Sequence, residues 1–405
     1  MASLDIDFEY SCYDPGDLVY GVVSVKASQA LSVLNHEVAI VVDVSGSMTS
    51  VLPTIKVVCE FALSKFNAQN VSCALVSFAD QAVVHYPMTR LTDDIVEQFM
   101  AAVNLLIVGG QTNLHDGITT AYGLFSVGSC QSVVVITDGV PNVGPTRLAD
   151  MTLRANCPVY TVAIGSQCDN ALLGTMAHST GGMYADAHDM DTVVSATGGL
   201  FGAIFGTALT DVSVCINADS LSMMPSNQTA FATTVNIGPV FTGEEVFIPF
   251  VVDSAKLRFV SAQVYAVGAH LHTVEFDIPF HGEKRLNPSV KTQLLRGEVA
   301  RLLHDEPVNV QLAHELRARC ADDLSPVGVW MTKRLDAAIE GCFDGLPVLQ
   351  QELTRARSMA YADPDDWLVP ACMRAFSQEA QGFSIPDEDV LPTEIPCLRR
   401  EATLH

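Results

Sequence analysis

Five oxygen-bearing side chains lie just after apolar runs or glycines, where they could do chemistry. Asp43, Ser45 and Ser47 alternate at the end of the run VAIVVD and beyond it. Thr112 follows two glycines in VGGQTN, and Asp138 follows the run SVVVIT. Carboxylate and hydroxyl oxygens are hard ligands, and they suit Mg²⁺, which usually keeps open positions for water. Because three of the five are neutral, the bound ion would still attract an incoming carboxylate.

The elements around these residues predict how they are positioned. Continuous apolar runs alternate with amphipathic stretches, which is typical of a doubly wound α/β domain with a mostly parallel sheet and helices on both faces. The predicted strands are 38–43, 71–78, 82–86, 132–137 and 158–165, and the predicted helices are 51–67, 92–107, 113–127, 145–156, 168–179 and 189–205. Ligands bind at the carboxyl ends of strands in such sheets, which is where the oxygen-bearing residues fall.

The order Asp43-x-Ser45-x-Ser47, then Thr112, then Asp138 resembles the metal-ion-dependent adhesion site (MIDAS) of von Willebrand factor A (VWA) domains. The resemblance implies a Rossmann-like sheet, a bound Mg²⁺ or Mn²⁺, and a partner that completes the metal site with an acidic residue. The alternative is that the serines cap a helix and that Asp138-Gly139 forms a turn, since these residue types favour such positions.

The regions around this domain have a different pattern. We expect an N-terminal β segment (1–35), the VWA domain (36–205), a β-sandwich module (206–289), a helical region (290–383) and an extended acidic tail (384–405). The β segment is predicted to pair with the later β module, so that the α/β domain is inserted in or next to it. This layout resembles VWA/Vint/Vwaint-type proteins and the non-RING part of the plant wavy-growth ubiquitin ligases, although no zinc-binding RING spacing is present.

Composition excludes several classes of protein. A net charge of −24 argues against binding to nucleic acid or anionic lipid, and 49% hydrophobic residues exclude a disordered chain. The uncharged stretches 117–137 and 192–210 are broken or rich in glycine, so no membrane span is expected. With no leader at the start and cysteines mostly within apolar runs, we expect a cytoplasmic protein with reduced thiols.

Other candidate sites have simpler explanations. His270 and His272 could form a metal pair on one strand face, but no third ligand lies near them in sequence. Mg²⁺-dependent hydrolysis would need a base and an activated nucleophile beside the ion, and His115 and Asp116 follow Thr112 closely enough to be considered. The simpler explanation is that they open the helix after Thr112. Glycines 198–202 lack the order of a phosphate-binding loop, and the histidines 304 and 314 lack a metalloprotease spacing. The tail carboxylates Asp387, Glu388, Asp389 and Glu394 either solubilise the chain or compete for the metal.

These observations favour a non-enzymatic, metal-dependent protein-interaction module that acts as an adaptor or scaffold. A permanent structural subunit with a secondary metal site is the alternative, and an accessory component of a ubiquitin-ligase system is a weaker one. The oligomeric state is not predicted.

Overall fold

The computed structural model describes two compact units of the chain. The described residues are 4–12, 18–27, 36–68, 71–127, 129–154, 157–165, 168–187, 190–223, 229–242, 245–253, 260–267, 272–276, 288–304 and 308–341. Within them, residues 36–204 belong to one unit, and residues 4–27 together with 205–341 belong to the other. The numerical domain boundaries given above stay predictions.

Strands and helices alternate in the first half of the chain, and strands precede helices in the second. The elements from the start to residue 206 are β1 (Leu4–Cys12), β2 (Leu18–Ala27), β3 (His36–Asp43), α1 (Leu52–Ala68), β4 (Ser72–Phe78), β5 (Ala82–Arg90), α2 (Asp93–Asn104), α3 (Leu114–Tyr122), β6 (Cys130–Thr137), β7 (Val159–Ile164), α4 (Asn170–Ser179), β8 (Tyr184–Ala187) and α5 (Met190–Gly206). Those that follow are β9 (Thr207–Met223), β10 (Thr229–Phe241), β11 (Glu245–Asp253), β12 (Val260–Val267), β13 (His272–Phe276), α6 (Pro288–His304), α7 (Val310–Cys320) and α8 (Pro326–Ile339).

The unit of residues 36–204 is built on a six-stranded sheet in the order β5-β4-β3-β6-β7-β8. All neighbouring pairs are parallel except β4 and β5, so β5 is an antiparallel edge strand. Every residue of β3 is buried, and alternate residues of a strand point to opposite faces, so both faces of the sheet are covered there. The predicted α/β class with a mostly parallel sheet is confirmed.

Local sequence explains where the helices near the site begin. Asn113 caps α3 by accepting a hydrogen bond from the backbone N–H of Asp116 at 3.3 Å. Asp169 caps α4 in the same way, accepting from the N–H of Leu172 at 2.9 Å. Each cap satisfies an N–H group that the first turn of a helix leaves without a partner, so α3 starts directly after the loop that follows α2, and α4 starts directly after the loop that follows β7.

The predicted helix over 145–156 is wrong. Only a short 3₁₀ turn, Leu148–Asp150, lies in its described part. The N–H of Thr152 donates instead to Nε2 of His115 at 3.2 Å, and the N–H of Arg154 donates to the hydroxyl of Tyr122 at 3.3 Å. These contacts with α3 use backbone groups that a helix would need.

The other unit contains a seven-stranded antiparallel sheet. Strand β2 pairs with β1 on one side and with β11 on the other, so N-terminal and later strands share one sheet. The long strand β9 pairs with β10, β11 and β12. Hydrogen bonds therefore join the described strands in one sheet, and a sandwich of two separate sheets stays a prediction.

Helices α6, α7 and α8 follow this sheet and pack on one another. Their shared core is apolar and consists of Leu295, Val299, Leu302, Leu303, Ala313, Leu316, Cys320, Val327, Trp330, Met331, Leu335 and Ala338. The predicted C-terminal helical region is confirmed as far as residue 339; residues 342–405, with the predicted acidic tail, lie outside the described residues.

No helix in the described ranges has the length and apolarity to cross a membrane. Of the two uncharged stretches, 117–137 spans α3 and β6, and 192–210 spans α5 and the start of β9.

Candidate metal centre

Three of the predicted ligands lie on the loop that leaves β3. Asp43 ends the strand and is fully buried, and Ser45 is 2% exposed. A 3₁₀ turn, Gly46–Ser50, then leads into α1 and leaves Ser47 exposed. The alternation seen in the sequence is thus a strand end that turns sharply into a helix.

The buried carboxylate of Asp43 is held by a donor on each oxygen. The N–H of Ser45 donates to Oδ1 at 2.7 Å, and the hydroxyl of Thr137 donates to Oδ2 at 2.5 Å. Burial raises the pKa of Asp43, and these hydrogen bonds act in the opposite direction. Thr137 lies at the end of β6 and was not predicted as a site residue; its place directly before Asp138 is the signal that could have identified it.

A chain of hydrogen bonds joins both serines to the second carboxylate. The hydroxyl oxygens of Ser45 and Ser47 are 3.1 Å apart, and the Ser47 hydroxyl donates to Oδ1 of Asp138 at 2.7 Å. Burial raises the pKa of Asp138 to about 6; the Ser47 hydrogen bond lowers it and the nearby charge of Asp43 raises it. Both carboxylates therefore lie where a cation would stabilise their ionised forms.

Hydrogen bonds to two neighbouring loops hold Thr112 at the same edge of the sheet. Its N–H donates to the side-chain oxygen of Asn142 at 2.8 Å, and the N–H of Asn142 donates back to the Thr112 carbonyl at 3.0 Å. The glycines before Thr112 bond to the first loop, since the Gly109 N–H donates to the carbonyl of Val44 at 2.8 Å. Thr112 itself is 5% exposed. Asn142 was not predicted, and no motif in the sequence points to it.

The position of Gly139 shows that side-chain oxygens of Thr112 and Asp43 lie close to the same point. A methyl group at Gly139 would lie 3.4 Å from Oγ1 of Thr112 and 3.7 Å from Oδ2 of Asp43. The structure therefore brings all five predicted residues to one edge of the sheet, with a small gap between the Thr112 and Asp43 oxygens. Three hydroxyls and two carboxylates are a donor set that fits Mg²⁺ or Mn²⁺. A group of three or more His, Cys, Asp or Glu residues that could hold a metal does not occur among the described residues.

Comparison with known proteins agrees with the fold of this unit. Residues 37–197 match the family model of the von Willebrand factor type A domain. This part of the chain is a VWA domain. VWA domains are typically metal-dependent protein-interaction modules, and generally not enzymes. No curated protein matches the chain.

Solved structures share the fold at low sequence identity. A von Willebrand factor type A protein from Catenulispora acidiphila is 17% identical with a TM-score of 0.61, and the match covers 97% of each chain. The ArnB paralog VWA2 from Sulfolobus acidocaldarius is 14% identical with a TM-score of 0.50, covering 93% of this chain and 99% of that one. Proximal thread matrix protein 1 from the mussel byssus, solved with zinc occupying its MIDAS motif, has a TM-score of 0.37 at 17% identity over 44% of this chain and 47% of that one. The last likeness is too low to bear on the metal of this chain.

The residues considered for catalysis make structural contacts in the VWA domain. Nε2 of His115 accepts from Thr152, and the Asp116 carboxylate accepts from the N–H of Ala82 at 2.6 Å. Both side chains thus hold neighbouring loops. Both residues also lie at the start of α3, as the simpler explanation predicted.

The remaining candidates lie on other elements or outside the described residues. Glycines 198–202 lie inside α5, His304 ends α6 and His314 lies in α7. His270, one member of the predicted histidine pair, lies outside the described residues, as do Asp387, Glu388, Asp389 and Glu394.

Proposed function

We propose that the VWA domain binds one Mg²⁺ or Mn²⁺ through Asp43, Ser45, Ser47, Thr112 and Asp138, and that the ion captures a carboxylate of a protein partner. In this role the chain is a metal-dependent adaptor or scaffold and not an enzyme. The observation that carries the proposal is the hydrogen-bonded set that links Ser45 and Ser47 to Asp138, with Thr112 across a small gap from Asp43.

The charges around the site support a cation with room for one more anion. Two carboxylates balance a divalent ion and the three hydroxyls add no charge, so the site does not repel a partner carboxylate that takes an open coordination position on the ion. The chain as a whole carries −24, which repels an acidic partner at long range. The metal therefore supplies the local attraction that the rest of the surface does not.

The donor chemistry favours a hard cation. No cysteine or histidine belongs to the five, and oxygen-only sites suit Mg²⁺ or Mn²⁺ better than zinc, which prefers nitrogen and sulfur. Seven cysteines in the described part of the chain form no disulfide, which supports a reducing compartment such as the cytoplasm. The layout supports, as a further proposal, a relationship to VWA/Vint/Vwaint-type proteins.

A pair of matched substitutions tests the metal site. In the full-length chain, Asp138→Asn removes a proposed ligand charge, whereas Asp116→Asn changes a carboxylate that holds a loop and keeps an oxygen that can accept from Ala82. Isothermal titration with Mg²⁺ should show one site in the parent and in Asp116→Asn, and at least a hundredfold weaker binding in Asp138→Asn.

Partner capture tests the interaction role. Proteins retained from a lysate in Mg²⁺ should be released by EDTA and should not be retained by Asp138→Asn. Retention that survives both EDTA and the substitution would favour the alternative of a permanent structural subunit.

A further inference from the structure

Large apolar side chains are exposed beside the proposed metal site. Ile107 is 83% exposed and Leu105 is 73% exposed, just before the glycine loop that leads to Thr112. Val140 is 50% exposed and directly follows Gly139. Exposed apolar residues that gather at a functional edge indicate a binding surface more often than isolated ones do.

Backbone hydrogen bonds hold the loop after Ile107 against the loop that carries Ser45 and Ser47. The Gly109 N–H donates to the carbonyl of Val44 at 2.8 Å, and the Gly46 N–H donates to the carbonyl of Gly110 at 3.2 Å. Ile107 is two residues from Gly109, so its Cα lies within roughly 7 Å of that contact. On the other side, Val140 adjoins Gly139, whose Cβ position borders the Thr112 and Asp43 oxygens.

The segments around the site carry almost no charge. Residues 44–49, 105–112 and 138–144 contain no Lys, Arg or His, and Asp138 is their one charged residue. A partner's first carboxylate can bind the cation, but a second one would meet no positive side chain in these segments and a chain of net charge −24. Lys56 and Asp80 contact the ends of the second segment, since Lys56 Nζ donates to the carbonyl of Asn104 at 3.1 Å and the N–H of Gln111 donates to the Asp80 carboxylate at 3.2 Å. The three segments themselves favour apolar neighbours.

Resting on the proposed function, we propose that the site selects a protein segment in which a single acidic residue has apolar residues within two positions of it. In an extended segment, residues two positions apart lie on the same face and about 7 Å apart. With the carboxylate on the ion, an apolar neighbour therefore reaches Ile107 on one side or Val140 on the other. We call these two residues the apolar rim.

Two peptides test the proposal on the full-length chain with saturating Mg²⁺. They are fluorescently labelled dodecamers that share one central aspartate in a Gly/Ser sequence, flanked within two positions by leucines in one and by serines in the other. The rim is removed by the double substitution Ile107→Ser and Val140→Ser. The control is Val127→Ser, which changes a still more exposed valine (104%) at the opposite edge of the sheet, before β6.

We expect the leucine peptide to bind about tenfold more tightly than the serine peptide, as burial of roughly half a leucine side chain implies. The preference should persist in Val127→Ser and fall below twofold in the double variant, with Mg²⁺ affinity unchanged in both. Equal Mg²⁺-dependent binding of the two peptides, or a preference that survives in the double variant, would overturn the apolar rim alone. Binding of neither peptide by the Mg²⁺-loaded chain would contradict carboxylate capture, and with it the proposed function. A chain that binds no Mg²⁺ would overturn the proposed function itself.

Discussion

Thr137→Val tests how much the metal site depends on the residue that orients Asp43. The substitution preserves the shape of a side chain that is 1% exposed and removes the hydroxyl that donates to Oδ2 of Asp43 at 2.5 Å. A hydrogen bond to a buried charged group contributes about 1.5–3 kcal/mol, and loss of a group that orients a metal ligand costs about 10–100-fold in affinity. We therefore expect Mg²⁺ to bind about 10–100-fold more weakly.

Thr161→Val is the matched control for this experiment. Thr161 is also fully buried in the same sheet, but its hydroxyl donates to the carbonyl of Leu173 at 3.1 Å, on α4. This variant should lose about 1 kcal/mol of unfolding free energy, as for a neutral hydrogen bond, and keep its Mg²⁺ affinity. Isothermal titration and urea unfolding measure the two quantities separately. Equal Mg²⁺ affinities in the two variants would refute the assigned role of Thr137.

Three further predictions concern the site and the sheet beneath it. Asn142→Ala removes the acceptor for the Thr112 N–H and should weaken Mg²⁺ binding about tenfold with little change in thermal stability. An unchanged Mg²⁺ affinity in isothermal titration would show that this hydrogen bond does not position Thr112. Gly139→Ala places a methyl group 3.4 Å and 3.7 Å from two proposed ligand oxygens and should also weaken Mg²⁺ binding, whereas Gly109→Ala, which meets nothing within 4 Å, should not. Burial lowers the pKa of His36 to about 4, so the unfolded chain binds more protons between pH 4 and 6.5 and stability rises with pH across that window. Between pH 7 and 4.5 the parent should lose about 2 kcal/mol more unfolding free energy than His36→Gln, and equal losses would disprove this.

Sequence patterns predicted the parts of the fold that depend on buried strands. The runs that became β3, β4, β6 and β7 are largely apolar because a parallel sheet covered on both faces buries all of their residues except the first of β4 and the first two of β6. Strand β8 (Tyr184–Ala187) was missed, since four residues with two alanines and an aspartate carry no strand signal. The predicted helix over 145–156 does not form, because backbone N–H groups of this segment donate to side chains of α3.

The candidate site also contains some residues that were predictable from the sequence and others that were not. Residue type, position after a strand or after two glycines, and the resemblance to the MIDAS motif selected Asp43, Ser45, Ser47, Thr112 and Asp138, which the fold brings to one edge. The groups that hold them were not predictable, because Asn142 acts across 30 residues of sequence, and only the folded chain reveals that contact.

The most direct test of the account is a crystal structure of the full-length chain grown with Mn²⁺, with anomalous scattering recorded to locate the ion. The account predicts one anomalous peak bounded by the oxygens of the five side chains at the carboxyl ends of β3 and β6. An anomalous peak elsewhere, or none at this edge in crystals that contain millimolar Mn²⁺, would contradict it.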